Sequence, residues 1–193
     1  CANRIDVHEK VYDEFLEKFG NAVSKIKVGD GFEEGVISGP LIDEFSLNKV
    51  KEQVTDAVNT GAKVAVGGDV HPLGGNFFQP TVISNVTSKA KITYEETFGP
   101  VAPLYKFSND EEVIKMANDT PYGLASYFYS RDIGRVWRVA EALEYGIVAV
   151  NNGAPTKAEM PFGGIKESGS GREGSKYGID DFLEIKYISM AGI

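Results

Sequence analysis

The spacing of apolar residues changes repeatedly along the chain, from helical periods to alternation and back. A period near 3.6 indicates an amphipathic helix, whereas alternation or a short apolar run indicates a strand. Helical spacing predicts helices at 8–26, 47–58, 108–117 and 132–146. Strand-like runs occur at 5–7, 63–66, 77–86, 101–107, 124–129 and 147–150. Strands alternating with helices predict an α/β fold, with a largely parallel sheet and flanking helices.

The same spacing predicts the buried face and the ends of individual helices. The expected inward residues are Leu47, Val50, Val54, Ala57 and Val58 in the second helix, and Ile133, Val136, Trp137 and Ala140 in the fourth. Gly61 is the expected stop of the second helix. Ser108–Glu111 has the pattern of a capping box, and Asp132 is a candidate N-cap.

The last segment is apolar on alternate positions and follows a glycine-rich run. Phe182–Met190 predicts an extended terminal strand with one apolar face. Such a strand must join another sheet, in its own chain or in a neighbouring one. The sequence therefore predicts one compact unit over 1–178 and an arm over 179–193.

Composition and charge limit the partners, the metal sites and the disulfides that the chain can have. The chain has 193 residues, a net charge of −8 and no block of consecutive basic residues, which argues against nucleic acid and anionic membranes as partners. One cysteine and two histidines exclude an internal disulfide and a Cys/His zinc site, so no metal site is predicted. The single cysteine and the start at Cys1, without methionine or signal pattern, suggest an intracellular protein and a piece of a longer one.

The run TYEETFGPV at Thr93–Val101 joins two carboxylates, a phenyl ring and a Gly-Pro turn next to a predicted strand. Turns at strand ends are where α/β sheets meet ligands. A carboxylate there can accept two hydrogen bonds from a ribose diol, and a phenyl ring can pack on a flat heterocycle. Alternatively, Glu95 and Glu96 form a solvated face and Phe98 belongs to the core.

The run PFGGIKESGSGREGSKYG at Pro161–Gly178 contains six glycines among charged residues. It lacks the order of a phosphate-binding loop and the preceding strand that such a loop needs. Two interpretations remain, an active-site wall or a structural loop whose glycines let two backbone segments pass closely. Cys1 alone is either a nucleophile or a small buried apolar residue.

Seven segments taken together resemble the aldehyde dehydrogenase superfamily along nearly the whole chain. In order they are CANR, SGPLI, QPTVISNV, EETFGPV, ANDTPYGLAS, GIVAVNNG and PFGGIKESGSGRE. The first segment and REGSKYGIDDFLEIKY, from Arg172 to Tyr187, are similar to the succinate-semialdehyde dehydrogenase branch, with glutarate-semialdehyde dehydrogenase as a neighbour. The resemblance implies that the chain is the C-terminal part of the catalytic domain and lacks the N-terminal cofactor-binding domain.

The resemblance also implies roles for single residues. It places Glu96 on the ribose next to the nicotinamide of NAD or NADP, and Phe98 beside the nicotinamide ring. It places Phe162 at the border of the aldehyde tunnel. Thr156 stands where the branch has a serine that holds the distal carboxylate of the substrate, although its neighbours Pro155 and Lys157 depart from the branch pattern.

The resemblance implies that Cys1 is a neighbour of the nucleophilic cysteine and not the nucleophile itself, because of its distance from Arg4. The family's nucleophilic cysteine lies five positions before the arginine, whereas Cys1 lies three before it. The nucleophile is therefore expected two residues before Cys1, and no catalytic residue is expected within this chain. Cys1 is implied to be a redox partner of that nucleophile. The family reaction uses a thiohemiacetal and a thioester, and the isolated chain is expected to be inactive.

The remaining expectations concern partners and location. The resemblance implies a small aldehyde substrate, a homo-oligomer formed through the C-terminal strand, and a cytoplasmic protein, or a mitochondrial matrix protein if the source is eukaryotic. A non-catalytic oligomerisation module of the same fold, or a dehydrogenase for another aldehyde, stays as an alternative.

Overall fold

The computed structural model describes residues 2–192 and contains six strands and four α-helices in that range. The strands are β1 (Ile5–His8), β2 (Lys63–Val66), β3 (Thr81–Ser84), β4 (Val101–Phe107), β5 (Ala125–Phe128) and β6 (Ile147–Val150). The helices are α1 (Tyr12–Val23), α2 (Glu44–Asn59), α3 (Asp110–Asn118) and α4 (Ile133–Ala142). Short 3-10 helices lie at Glu9–Val11, Lys91–Thr93, Lys166–Ser168 and Asp180–Phe182.

The chain forms two compact units, and the boundary between Val113 and Ile114 falls inside α3. The first unit holds a four-stranded sheet in the order β1-β4-β3-β2. β4 pairs in parallel with both β1 and β3, while β2 is antiparallel to β3. The second unit holds β5 and β6 as a parallel pair. The predicted α/β class with mainly parallel strands is confirmed; the predicted boundary at residue 178 stays a prediction.

Helix α1 covers one face of the first sheet because its apolar residues recur every three or four positions. The buried cluster there consists of Val7, Tyr12, Val23, Val82 and Leu104. The hydroxyl of Tyr12 accepts a hydrogen bond from the Asn85 amide at 2.7 Å and donates to the Leu104 carbonyl at 3.4 Å. A single side chain thus joins the helix to two segments of the sheet.

Helix α2 starts where Asp43 accepts a hydrogen bond from the Ser46 amide at 2.7 Å, as an N-cap does. That hydrogen bond lowers the pKa of Asp43. The predicted inward residues are buried except Val58, which is 44% exposed. Gln53, which the apolar pattern left out, is buried on the same face because it lies one turn from Val50.

The start of α3 differs from the predicted capping box by one residue. The Glu112 amide donates to Asn109 Oδ1 at 2.9 Å, so Asn109 is the N-cap and Glu112 its partner. The Glu112 carboxylate accepts from both the amide and the hydroxyl of Ser108. These bonds lower the pKa of Glu112. Asparagine caps as well as serine does, so the shift costs the helix nothing.

In the second unit, Asp132 is the N-cap of α4 and accepts from the Arg135 amide at 3.0 Å. The predicted inward face of α4 is only partly correct. Val139 is buried, but Trp137 is 64% exposed and Ile133 is also exposed. The two-stranded β5–β6 sheet is too narrow to cover a full amphipathic face, which leaves these side chains uncovered within the described chain.

The described residues after the 3-10 helix at Asp180–Phe182 form no helix or strand. Apolar side chains there are exposed, with Ile185 fully so. A strand is held by hydrogen bonds to a neighbouring strand, and none lies beside this segment in the described chain. The predicted terminal strand stays a prediction. Within 2–192, no helix is both long and apolar enough to cross a bilayer.

Candidate functional site

The loop that carries the first candidate residues, Glu95–Pro100, runs from the 3-10 helix at Lys91–Thr93 into β4. Its C-terminal end is fixed by the sheet, because the Thr81 amide donates to the Pro100 carbonyl at 2.8 Å. Gly99 lies against α2, where a Cβ would come within 2.6 Å of Val50 Cγ2. Glycine is therefore required at this turn for steric reasons.

The two glutamates of the loop have different environments. Gln53 Nε2 donates to Glu95 Oε2 at 3.3 Å, and Gln53 is 1% exposed. Glu96 is exposed, and its carboxylate has no hydrogen-bond or ion-pair partner among the described residues. Glu95 therefore fixes the loop to α2, whereas Glu96 is available to a ligand.

Asn3 binds the loop backbone on both sides of Glu96. Its Oδ1 accepts from the Thr97 amide at 3.0 Å, and its Nδ2 donates to the Glu95 carbonyl at 3.4 Å. The residues are separated by more than 90 positions in the sequence, so no local pattern signals the contact. Asn3 and Gln53 are the residues of this site that sequence reasoning missed.

Phe98 presents its ring to solvent and is 74% exposed. Its backbone is in the left-handed region, with φ +47, which a non-glycine residue adopts only at some cost in free energy. The alternative that Phe98 belongs to the core is wrong. An exposed ring on a strained turn, next to a free carboxylate, can pack on a flat ligand whose hydroxyls reach Glu96.

Two buried polar atoms around this loop have no hydrogen-bond partner in the described chain. They are Gln53 Oε1 and the Thr97 hydroxyl oxygen. Thr97 is 3% exposed. Buried polar atoms are normally satisfied, so both are positions where a water molecule or a further chain segment can bind.

The strand pair behind the loop contains two titratable groups, Asp6 on β1 and Tyr105 opposite it on β4. Burial raises the pKa of Tyr105 to about 12, and the hydrogen bond with the Thr93 hydroxyl at 3.0 Å opposes this. Burial also raises the pKa of Asp6, and the charge of Arg4 opposes this. Tyr105 is buried and Asp6 is partly buried, and both belong to the framework of the first unit.

The glycine-rich run in the second unit makes very close backbone contacts. A Cβ on Gly146, just before β6, would lie 1.9 Å from the Gly163 carbonyl oxygen. A Cβ on Gly123 would lie 2.8 Å from the Glu144 carbonyl oxygen and from Ile165. Within the run, a Cβ on Gly163 would lie 2.6 Å from the Gly171 carbonyl oxygen, and one on Gly164 would lie 2.7 Å from that of Ser168, so the interpretation that its glycines let backbone segments pass closely is confirmed. The described residues after β6 contain no α-helix, so the run does not lie between a strand and a helix as a phosphate-binding loop does.

Arg172 and Lys166 tie this run together. Arg172 Nη1 donates to the carbonyls of Gly164 and Gly171, at 2.9 and 2.6 Å, and its amide donates to Asp181 at 2.9 Å. Lys166 Nζ donates to the Asn118 carbonyl at 3.1 Å. These contacts hold the glycine-rich wall, Pro161–Gly178, in one defined conformation.

Phe162, at the start of the wall, is held by a two-way backbone pair with Glu173, with N···O distances of 2.9 and 2.7 Å. Its ring is 37% exposed. Thr156 and Lys157 are both exposed in the segment between β6 and the wall. No ion-pair partner of Lys157 exists among the described residues. The second unit thus brings an apolar ring, a hydroxyl and a free cation into one connected segment.

Glu96 and Phe98 lie on one loop of the first unit, and Thr156 and Phe162 both belong to the second unit. Cys1, the predicted redox partner, lies outside the described residues. No group of three or more His, Cys, Asp or Glu side chains within the described part could hold a metal ion.

Comparison with known proteins shows the family to which the chain belongs. The sequence profile of the aldehyde dehydrogenase family matches residues 1–188. The chain is 55% identical over its full length to 3-sulfolactaldehyde dehydrogenase of Pseudomonas putida, covering 40% of that protein. It is 58% identical over 97% of its length to the NADP(+) succinate-semialdehyde dehydrogenase GabD of Escherichia coli (strain K12), covering 39% of it. The chain therefore spans about 40% of the length of these relatives.

A solved structure agrees with this assignment. The crystal structure of succinate-semialdehyde dehydrogenase from Burkholderia pseudomallei superimposes with a TM-score of 0.95 at 55% identity. The match covers 97% of this chain and 39% of that one.

Proposed function

Because the chain belongs to the aldehyde dehydrogenase family, we propose that it supplies the C-terminal part of the catalytic domain of an NAD(P)+-dependent semialdehyde dehydrogenase. The first-choice reaction is oxidation of succinate semialdehyde to succinate. The names of two relatives support an aldehyde with an anionic group at its far end, a carboxylate in one and a sulfonate in the other. Glutarate semialdehyde, a longer aldehyde of the same class, is the second choice.

The observation that carries the proposal is the exposed carboxylate of Glu96, which has no partner in the described chain although the loop backbone on both sides of it is hydrogen-bonded to Asn3. Glu96 would accept two hydrogen bonds from the ribose diol next to the nicotinamide. Phe98 would pack its exposed ring beside the nicotinamide and keep water from that face. When bound, NAD(P)+ accepts the hydride that leaves the aldehyde carbon. The unpartnered carboxylate and the exposed ring fit such a cofactor.

On the substrate side, the Thr156 hydroxyl would donate to the distal anion of the aldehyde, and the Phe162 ring would border its apolar part. The hydrogen-bonded backbone around Phe162 supports this role, since a tunnel wall must hold its shape while substrate enters. The nucleophilic cysteine is expected two residues before Cys1, and we infer that Cys1 is its redox partner. Peroxide would join the two thiols in a disulfide with release of two water molecules.

The exposed apolar side chains at 179–192 support a homo-oligomer in which the predicted arm completes a sheet of a neighbouring subunit. The expected compartment is the cytoplasm, or the mitochondrial matrix in a eukaryote. The proposal holds for NAD and for NADP alike, because none of the residues assigned here contacts the ribose at which the two cofactors differ.

The test compares the isolated 193-residue chain with the full-length enzyme that contains it. The full-length enzyme is expected to reduce NAD(P)+ with succinate semialdehyde, faster than with an uncharged aldehyde of equal length. The isolated chain is expected to give no turnover.

A folded full-length enzyme that oxidises no semialdehyde would overturn the proposed activity and favour an oligomerisation module. Turnover by the isolated chain would show that it holds its own nucleophile, which contradicts the assignment of Cys1. For the redox role, reversible inactivation by peroxide should disappear in Cys1→Ala.

A further inference from the structure

Asn3 is a half-buried amide in the segment just before β1, and it uses both of its polar ends on one loop. Its oxygen accepts from the Thr97 amide at 3.0 Å and its nitrogen donates to the Glu95 carbonyl at 3.4 Å. The residue between these two partners is Glu96. Asn3 therefore fixes the peptide units that flank Glu96 without occupying its carboxylate.

The same segment is fixed to the sheet immediately after Asn3. Ile5, the first residue of β1, pairs in register with Leu104 of β4. β4 in turn begins at Val101, directly after the loop. The side-chain bonds of Asn3 and the backbone pairing of β1 with β4 therefore hold the loop at two places relative to the segment that contains Asn3.

Glu95 is held a second time, from the opposite direction. Its carboxylate accepts from the buried Gln53 of α2, while its carbonyl accepts from Asn3. Gly99 packs on the same helix at Val50. Only the side chains of Glu96 and Phe98 in this stretch face solvent with no partner in the described chain.

We infer that Asn3 is a positioning residue that fixes the distance between the loop Glu95–Pro100 and the segment that carries the nucleophile. This inference rests on the proposed function, in which the nucleophilic cysteine precedes Cys1 and Glu96 binds the nicotinamide-side ribose. Hydride transfer requires the two reacting carbons at about 3–3.5 Å, and a misplacement of about 1 Å can lower the rate roughly 100-fold. A side chain that ties the two segments directly governs that distance.

The experiment uses the full-length enzyme and three variants, Asn3→Ala, Asn3→Asp and Asn118→Ala. Asn3→Asp keeps an oxygen that accepts from the Thr97 amide. Asn118 is the matched control in the second unit, because its amide also makes two backbone bonds, to Ala142 at 2.8 Å and Glu144 at 2.9 Å. Asn118→Ala therefore shows how the loss of two such hydrogen bonds changes stability alone.

Two readouts separate positioning from stability. The first is hydrogen exchange of the Thr97 amide without cofactor, expected to be roughly 10-fold faster or more in Asn3→Ala and to recover in Asn3→Asp. The second is the kinetics with aldehyde deuterated at its reacting carbon. Asn3→Ala should lower kcat roughly 10- to 100-fold, raise the KM for NAD(P)+ and increase the isotope effect, because hydride transfer becomes slower.

Asn118→Ala should lower thermal stability while leaving the cofactor KM and the isotope effect within about two-fold of the wild type. The inference is wrong if Asn3→Ala leaves kcat, cofactor KM and isotope effect unchanged, or changes them no more than Asn118→Ala does. A wild-type enzyme inactive on every semialdehyde would instead overturn the proposed function, while Thr97 exchange would still test the Asn3 contact itself.

Discussion

Gly146 and Gly163 meet so closely that a Cβ on Gly146 would lie 1.9 Å from the Gly163 carbonyl oxygen. Both residues are fixed by neighbouring hydrogen bonds: the Gly146 amide, just before β6, donates to the Gly123 carbonyl, and Gly163 follows the Phe162–Glu173 backbone pair. This contact sets the path of the glycine-rich wall in the second unit. It also explains why glycines here serve backbone packing.

The first prediction follows from that contact. Gly146→Ala should destabilise the chain by about 3 kcal/mol, because the new methyl group has no space and the backbone must shift. Urea unfolding of the chain, followed in the far-ultraviolet, measures the loss. Gly31→Ala is the matched control, since nothing lies within 4 Å of its Cβ position. Equal stability of the two variants would contradict the described path of the wall.

The second prediction separates the two loop glutamates by stability. Glu95→Ala leaves the buried Gln53 amide without its partner and should cost about 1–3 kcal/mol. Glu96→Ala removes no contact of the described chain and should stay within about 0.5 kcal/mol of the wild type. Thermal unfolding of the chain without cofactor measures both. A larger loss for Glu96→Ala would show that its carboxylate has a structural role.

The third prediction concerns alkaline pH. The pKa of Tyr105 is raised to about 12 in the folded chain, against an ordinary value of 10.0. Between these values the unfolded phenol loses its proton while the folded one keeps it, so stability falls as pH rises. The slope from this group is about 1.4 kcal/mol per pH unit. In Tyr105→Phe, the free energy of unfolding should fall less steeply between pH 10 and 12. Because this variant also loses the hydrogen bond to Thr93, Thr93→Val serves as the control.

The fourth prediction concerns the apolar arm. Ile185 is fully exposed in the single chain, and the proposal buries it against a neighbouring subunit. Ile185→Asp should therefore shift the full-length enzyme towards smaller species in sedimentation velocity, because burying an unpaired carboxylate is costly. Glu184→Gln is the control. An unchanged size distribution for Ile185→Asp would exclude this segment from the interface.

The extent of sequence-based prediction follows from the range of each interaction. Helices α1 and α2 were predictable because their apolar faces repeat every turn, and Asp132 because a cap is read three residues away. The Asn109 cap of α3 was missed by one position, since serine and asparagine cap equally well. The exposure of Trp137 was not predictable, because periodicity shows which face is apolar and not whether anything covers it.

The candidate site divides in the same way. The resemblance singled out Glu96 and Phe98 by motif, but the local sequence could not distinguish Glu96 from Glu95, which differ only in what α2 brings near them. Asn3 and Thr97 are 94 positions apart, and the parallel pairing of β1 with β4 is what joins them. Contacts of this kind come from topology, and a single sequence carries no local signal for them.

Cofactor affinity of Glu96→Ala in the full-length enzyme, compared with Glu95→Gln, tests the central claim most directly. If Glu96 binds the ribose, its loss removes two charge-assisted hydrogen bonds and should raise the KM and Kd for NAD(P)+ roughly 10- to 100-fold, with thermal stability unchanged. Glu95→Gln keeps an acceptor for Gln53 and should bind cofactor normally. Wild-type affinity in Glu96→Ala, measured by calorimetric titration of the folded variant, would contradict the account.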